Sequence, residues 1–173
     1  PHLAAVSSII TVSSQTVFGN QNWTTQVNGV AADYQTIQNL QVAQGTWFSS
    51  ADENNAGAVA VLGDTVRHNL FDATGVNPIG QSIRIGGGIF RVEGTLLPQG
   101  GSFSQDDVIY VPLKTAQIRL KNLPTVDQIQ AQADSTANVS QVAQAITTIL
   151  RQNHHIQSGA TDDFTVMTFT QFL

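Results

Sequence analysis

Between Leu3 and Val17 the chain carries Val6, Ile9, Ile10 and Val12, and this density of β-branched residues favours extended backbone, predicting an opening strand. Gly19-Asn20 then reads as a turn, and Asn22 to Val30 as a second strand, close enough to form a hairpin with the first. Asp33 is a usable helix cap, and Ile37 and Leu40 behind it predict a short helix over 34–40, followed by a strand at 41–44 that Gly45 ends. Four further apolar runs, Val59–Leu62, Ser82–Ile85, Ile89–Leu97 and Val108–Val111, are separated by glycine, proline or polar clusters and predict a β-rich middle. Val66, Leu70 and Phe71 fall at helical spacing after Asp64, predicting a helix that stops near Asp72. Gly86-Gly87-Gly88 lies between two alternating runs and reads as a hairpin turn, where glycine takes the positive φ that other residues resist.

The last third predicts strand, helix, strand. Residues 126–133 alternate, so Ile129, Ala131 and Ala133 share the face expected to be buried. Asn138, with Gln141 three residues on, predicts a capped helix start, and Val139, Val142, Ile146, Ile149 and Leu150 form one apolar stripe behind it. Arg151, His154 and His155 stand near its C-terminus, where exposed carbonyls favour positive charge. A final strand is expected at Phe164 to Phe169, in the same sheet as 126–133 if a right-handed crossover makes the two parallel.

Composition narrows the partners. The 173 residues suit one ordinary core or two small subdomains. Only 11% are charged, with a net charge of −5 and the seven Lys and Arg scattered singly, so no basic stripe exists to neutralise a phosphate backbone and nucleic acid is excluded as a partner. The absence of cysteine removes disulfides, thiolate metal sites and a cysteine nucleophile without fixing a compartment. No apolar run approaches the length of a membrane-spanning helix. A start at Pro1 and a stop just after an apolar run read as a piece of something longer.

The motifs that carry enzyme chemistry are missing. The Gly86–Gly88 run fits neither phosphate-binding pattern, and Gly101-Ser102-Phe103-Ser104 lacks the second glycine of a hydrolase elbow. His2, His68, His154 and His155 have no metal-ligand spacing. Asp106-Asp107 and Asp162-Asp163 read as solvated turn residues, because neighbouring carboxylates diverge rather than face one another. No catalytic, cofactor-binding or metal-ligating residue is therefore assigned. Trp47 and Phe48 are expected to cover a junction between subdomains. Phe103, in the polar, glycine-rich loop bounded by Gln99 and Gln105, is the candidate partner contact, with Gln99 and Gln105 beside it.

The order of segments carries more than any single motif. Gly45-Thr-Trp-Phe-Ser49, Ala58-Val-Ala-Val-Leu-Gly63, Leu70-Phe71, Pro78-Ile-Gly-Gln-Ser-Ile-Arg-Ile85, Phe90-Arg-Val-Glu-Gly94 and Asp107-Val-Ile-Tyr-Val-Pro-Leu113, in that succession, resemble the periplasmic core domain of MacB-type ABC transporter permeases, over nearly the whole chain. The stretch from Asp72 to Asn77 is longer than usual for that pattern, and the uncharged surface is atypical.

The resemblance implies an α+β fold in which both chain ends, 1–44 and 123–173, build a porter-like α/β subdomain and 45–122 form an inserted, β-rich, sabre-like subdomain. It implies a non-enzymatic domain outside the cytoplasmic membrane, inserted between two transmembrane helices, that works by mechanotransmission while ATP is hydrolysed on a separate domain or subunit. Its implied partners are that ATP-binding subunit or domain and a second permease copy, with a periplasmic adaptor protein as a further candidate. Cargoes across such a family include macrolides, peptides, toxins and lipoproteins, and the sequence selects none of them. The second reading is a stand-alone extracytoplasmic binding or adhesion module. A hydrolase with an unrecognised site is the third, disfavoured by the missing motifs.

Overall fold

The computed structural model of the chain describes residues 3–99, 106–121 and 126–168. In chain order its first elements are β1 (Leu3–Phe18), β2 (Gln21–Val30), α1 (Tyr34–Gln38), β3 (Val42–Gly45), α2 (Ser50–Asn54), β4 (Val59–Leu62) and α3 (Asp64–Phe71). Then come β5 (Ser82–Ile85), β6 (Gly88–Leu96), β7 (Val108–Pro112), α4 (Leu113–Thr115), a π-helical stretch Ala116–Lys121, β8 (Gln128–Ala133) and α5 (Val139–Asn153). The chain divides into two compact units, residues 1–6 with 131–173, and residues 7–130.

Within 7–130 the sheet pairings close on themselves. β1 and β2 form the expected hairpin, from Ile10↔Gly29 to Phe18↔Gln21. β2 runs parallel to β7, β7 antiparallel to β4, and β4 parallel to β6. β6 is antiparallel to β5, which returns to β1 at Thr16↔Ile85. β3 adds to the C-terminal half of β6, and β8 lies beside β1.

Both faces of this sheet are covered, which explains why β4 and β7 read as unbroken apolar runs rather than alternating ones. Ile10, Leu62 and Ile109 belong to one core with Val66, Leu70 and Phe71 of α3, whereas Ile9, Val61 and Tyr110 belong to a second with Tyr34, Leu40 and Phe48. Trp47 stacks on Phe48, with ring centroids 4.6 Å apart, and donates its indole N–H to Ala32 O at 2.9 Å. The Trp47-Phe48 pair therefore closes the second core, within one unit.

Within residues 7–130, β2 is locked to β7 and β1 to β5, so strands from before residue 45 share a sheet with strands that follow it.

Local expectations need four corrections. Helix α2 was not expected; its signal is the capping box, in which Asp52 N donates to Ser49 Oγ and Ser49 N to Asp52 Oδ2, both at 3.1 Å. Asn138 precedes α5, but its amide donates to Asp134 and Ser135 and makes no side-chain cap, so the box with Gln141 does not form. The face of β8 carrying Ile129 is not buried: Ile129 is 47% exposed. Periodicity says which residues share a face, and only packing decides whether that face is covered. Residues 164–168 form no strand, because alternation supplies a pleat but not a ladder partner; Phe169 lies outside the described residues.

The entry to β8 is fixed by one carboxylate. Asp127 accepts from Lys121 Nζ at 2.6 Å and from Thr11 N at 2.9 Å, while its own amide donates to Ile9 O at 2.8 Å. The hydrogen bond from Lys121, helped by the Thr11 amide, holds the Asp127 carboxyl below the ordinary carboxylate range. A pKa depressed on folding gives stability that is present above the unfolded value, about 3.9, and lost as pH falls through the folded value. Asp127→Asn is therefore expected to be less stable than the parent chain at pH 7, with the gap narrowing below about pH 4. Urea melts at the two pH values check this, and a pH-independent gap would contradict it.

Candidate partner-binding groove

The β6–β7 connection singled out from the sequence begins and ends on a braced base. Gln99 N donates to Asp106 Oδ1 at 2.7 Å, Thr65 N to Asp106 O at 3.0 Å, and Gly63 N to Val108 O at 2.8 Å. Gly63 leaves no room for a side chain there, since a Cβ would stand 2.3 Å from Asp106 O. Asp107 turns the other way: its Oδ1 accepts from Trp23 Nε1 at 2.8 Å and from Thr25 Oγ1 at 2.7 Å. The Asp106-Asp107 pair diverges as expected, and both carboxylates, with Asp107 solvent-exposed, also brace the fold. Gln99 is exposed at this base. Phe103 and Gln105 lie outside the described residues.

Beside the base opens a groove of about 780 Å³, between α3, the 75–78 stretch and the β3–β6 pair. Its apolar rim includes Val76, 39% exposed, and Leu97, 47% exposed, with Pro98; Phe71, Pro78 and Leu96 are buried behind them. Its polar wall is a helix face. Arg67 donates to Asp64 at 2.9 Å and to Asp72 at 3.0 Å, while His68 contacts Asp72 and lies 3.5 Å from Asp64. The hydrogen bond with His68 is the main reason the Asp72 carboxyl sits below its ordinary range. Arg67 and His68 thus engage Asp64 and Asp72 between them, and this wall stands beside exposed aliphatic groups.

Among the described residues no group of three or more His, Asp or Glu is placed to hold a metal ion. The wall was legible in principle: Asp64, Arg67, His68 and Asp72 follow the i, i+3, i+4, i+8 spacing that puts side chains on one helix face.

Thr95, also at the groove, is fully buried, and its Oγ1 has no hydrogen-bond partner among the described residues. A buried, unpaired hydroxyl costs about 1–3 kcal/mol. Thr95→Val, close in shape, is expected to leave stability unchanged or raise it by about 1 kcal/mol, read from chemical denaturation. A loss of that size would show that the hydroxyl is satisfied in solution.

In the other unit, the 162–163 pair is solvent-exposed as expected and is also engaged, Asp162 by Arg151 and Asp163 by His154. A second hollow of about 480 Å³ lies there, lined by Thr148, Arg151, Gln152, Ile156, Ser158 and Gly159.

Comparison with known proteins gives consistent results. Residues 1–149 match the family model of the MacB-like periplasmic core domain. The chain is 34% identical over 169 residues to the macrolide export ATP-binding/permease protein MacB of Chlorobaculum tepidum, covering 96% of this chain and 26% of that protein. It is 37% identical over 141 residues to the pyoverdine export ATP-binding/permease protein PvdT of Pseudomonas syringae pv. syringae, covering 80% of this chain and 21% of that protein. It therefore spans about a quarter of the length of these curated relatives.

Among solved structures, the periplasmic region of MacB from Actinobacillus actinomycetemcomitans superimposes with a TM-score of 0.82 at 20% identity, over 99% of this chain and 74% of that one. The extracellular domain of the ABC-type transporter YknZ from Gram-positive bacteria gives 0.80 at 18% identity, over 96% and 82%. These likenesses establish the fold: α+β, with a porter-like unit formed by both chain ends and a β-rich, sabre-like insert.

Proposed function

Since the chain belongs to the MacB-like periplasmic core domain family, we propose that it works as the extracytoplasmic domain of an ABC transporter permease, converting nucleotide-driven movement of transmembrane helices into export or handling of a substrate outside the membrane. The observation that carries this reading is the family match over residues 1–149. The relatives are named ATP-binding/permease proteins, which supports ATP hydrolysis on a domain or subunit other than this one, and a non-enzymatic role for the domain itself. On this reading both ends of the domain lead to transmembrane helices, and two copies work as a dimer.

Partner contact falls to the β6–β7 loop and the groove at its base. Gln99, Phe103 and Gln105 offer amides and one aromatic ring, and Val76 and Leu97 offer exposed aliphatic surface at the groove. A periplasmic adaptor protein is the partner proposed for this loop. Its braced base keeps the ordering cost of binding low, because Gln99 is already tied to Asp106 before any partner arrives.

The chain contains no cysteine, so one introduced thiol reports alone from this domain. Gln99→Cys in the full-length protein should react with a membrane-impermeant maleimide in spheroplasts, above the level of the unsubstituted protein. Labelling only after lysis would place the domain on the other side of the membrane and remove the reading.

A further inference from the structure

We propose that the C-terminal end of α5 and the residues after it form a clasp that passes force from the outgoing chain into the helix; this rests on the permease reading above. α5 ends abruptly. Ile156 N donates to Arg151 O at 2.9 Å and His155 N to Gln152 O at 3.2 Å, with His155 in the left-handed region at φ 57°. The chain turns back, and two side chains one helical turn apart stitch it to the helix.

Arg151 supplies the first stitches. Its Nη2 donates to Gln157 O at 2.8 Å, and its Nη1 to Ala160 O at 3.0 Å and to Asp162. His154 supplies the next, with Nδ1 2.7 Å from Asp163 Oδ1 and its ring edge-on to Phe164 at a centroid distance of 5.7 Å. The contacts fall on Gln157, Ala160, Asp162, Asp163 and Phe164. A guanidinium fork holding two carbonyls and a carboxylate of one loop fixes a geometry that a single exposed ion pair would not.

Slack decides what this does. Eight residues without stitches reach about 26–29 Å when extended, at roughly 3.3–3.6 Å per residue. A tether of that reach absorbs a displacement of one helical turn, about 5.4 Å, before any pull reaches α5. With residues 157–164 held against the last turn, that slack is taken out of the path to α5. The stitched loop therefore makes this side of the domain a lever.

Two measurements test the proposal. In the chain itself, Arg151→Gln should speed backbone hydrogen exchange at the Ile156 and Ala160 amides, which donate to Arg151 O and Gln157 O, by about tenfold or more while β2, β4 and β7 keep their protection. Arg151→Lys, which keeps the charge but not the fork, should fall between. Asp162→Asn leaves every residue of α5 in place and should loosen the same amides. Unchanged exchange in Arg151→Gln overturns the clasp.

In the full-length protein, with spin labels at Gln99→Cys, Arg151→Gln should abolish the ATP-dependent change in distance between two copies and leave ATP hydrolysis running. A loosened loop with an unaltered distance change overturns the role in transmission alone. No distance change in the protein with Arg151 intact sinks the permease reading together with it.

Discussion

Phe71→Ala is expected to cost about 3–5 kcal/mol of unfolding free energy, the range for truncating a buried phenylalanine without refilling its space. Phe71 is 2% exposed at the end of α3, and its ring lies 4.4 Å, centroid to centroid, from that of Phe18 at the end of β1. Losing the ring empties the space between the helix and the β1–β2 hairpin and removes the aromatic contact, itself worth about 0.5–1.5 kcal/mol. In a protein of this size the midpoint of thermal unfolding should fall by about 10 °C or more. Phe71→Leu keeps most of the volume and should lose about 1–2 kcal/mol. A drop below about 1 kcal/mol for the alanine variant would mean that α3 does not seal the first core.

Gly45→Ala should be similarly damaging for a different reason. Gly45 has φ of +74°, and a Cβ there would lie 2.1 Å from Glu93 O and 2.9 Å from Ile79 Cδ1. The left-handed conformation costs a non-glycine residue about 1–2 kcal/mol, and forcing a methyl against backbone adds about 1–3 kcal/mol. The oxygen cannot swing aside, because Glu93 O accepts from Thr46 N at 3.0 Å in the β3–β6 pair. Gly75 supplies the control: its φ is +67°, but nothing lies within 4 Å of the Cβ position. Gly75→Ala should thus lose only about 1–2 kcal/mol, from the conformation alone. Equal losses at 45 and 75 in parallel urea melts would show that the close approach relaxes without cost.

These two sites also mark where the sequence is informative. Strand and helix positions in the β-rich unit follow from local pattern because both faces of the sheet are buried, leaving β4 and β7 as apolar runs with turn residues at each side. The long-range pairing does not follow: β2 lies parallel to β7, with Val27 opposite Ile109, and no local periodicity reports a partner so distant in the chain. Residues 164–168 fail as a strand for the same reason seen from the other side, since alternation cannot supply a neighbour.

The candidate site divides in the same way. Gln99 was identified from the polar, glycine-rich composition of its loop, and the fold places it exposed on a braced base. The groove beside it was not anticipated, because its walls come from α3, β3 and the 75–78 stretch, which only tertiary packing brings together. Asp162 and Asp163 are solvent-facing as read from the sequence, but their partners were not legible: Arg151 in the last turn of α5 and His154 just beyond it meet them only because of the way the chain turns after Asn153.

The central claim is that nucleotide-driven movement reaches this domain. The direct test is the distance between spin labels at Gln99→Cys in the two copies of the full-length protein in lipid nanodiscs, measured by electron–electron double resonance with and without ATP under non-hydrolysing conditions. A distance distribution that shifts on ATP binding is the predicted result. Identical distributions, in protein shown to bind and hydrolyse ATP, would contradict the account.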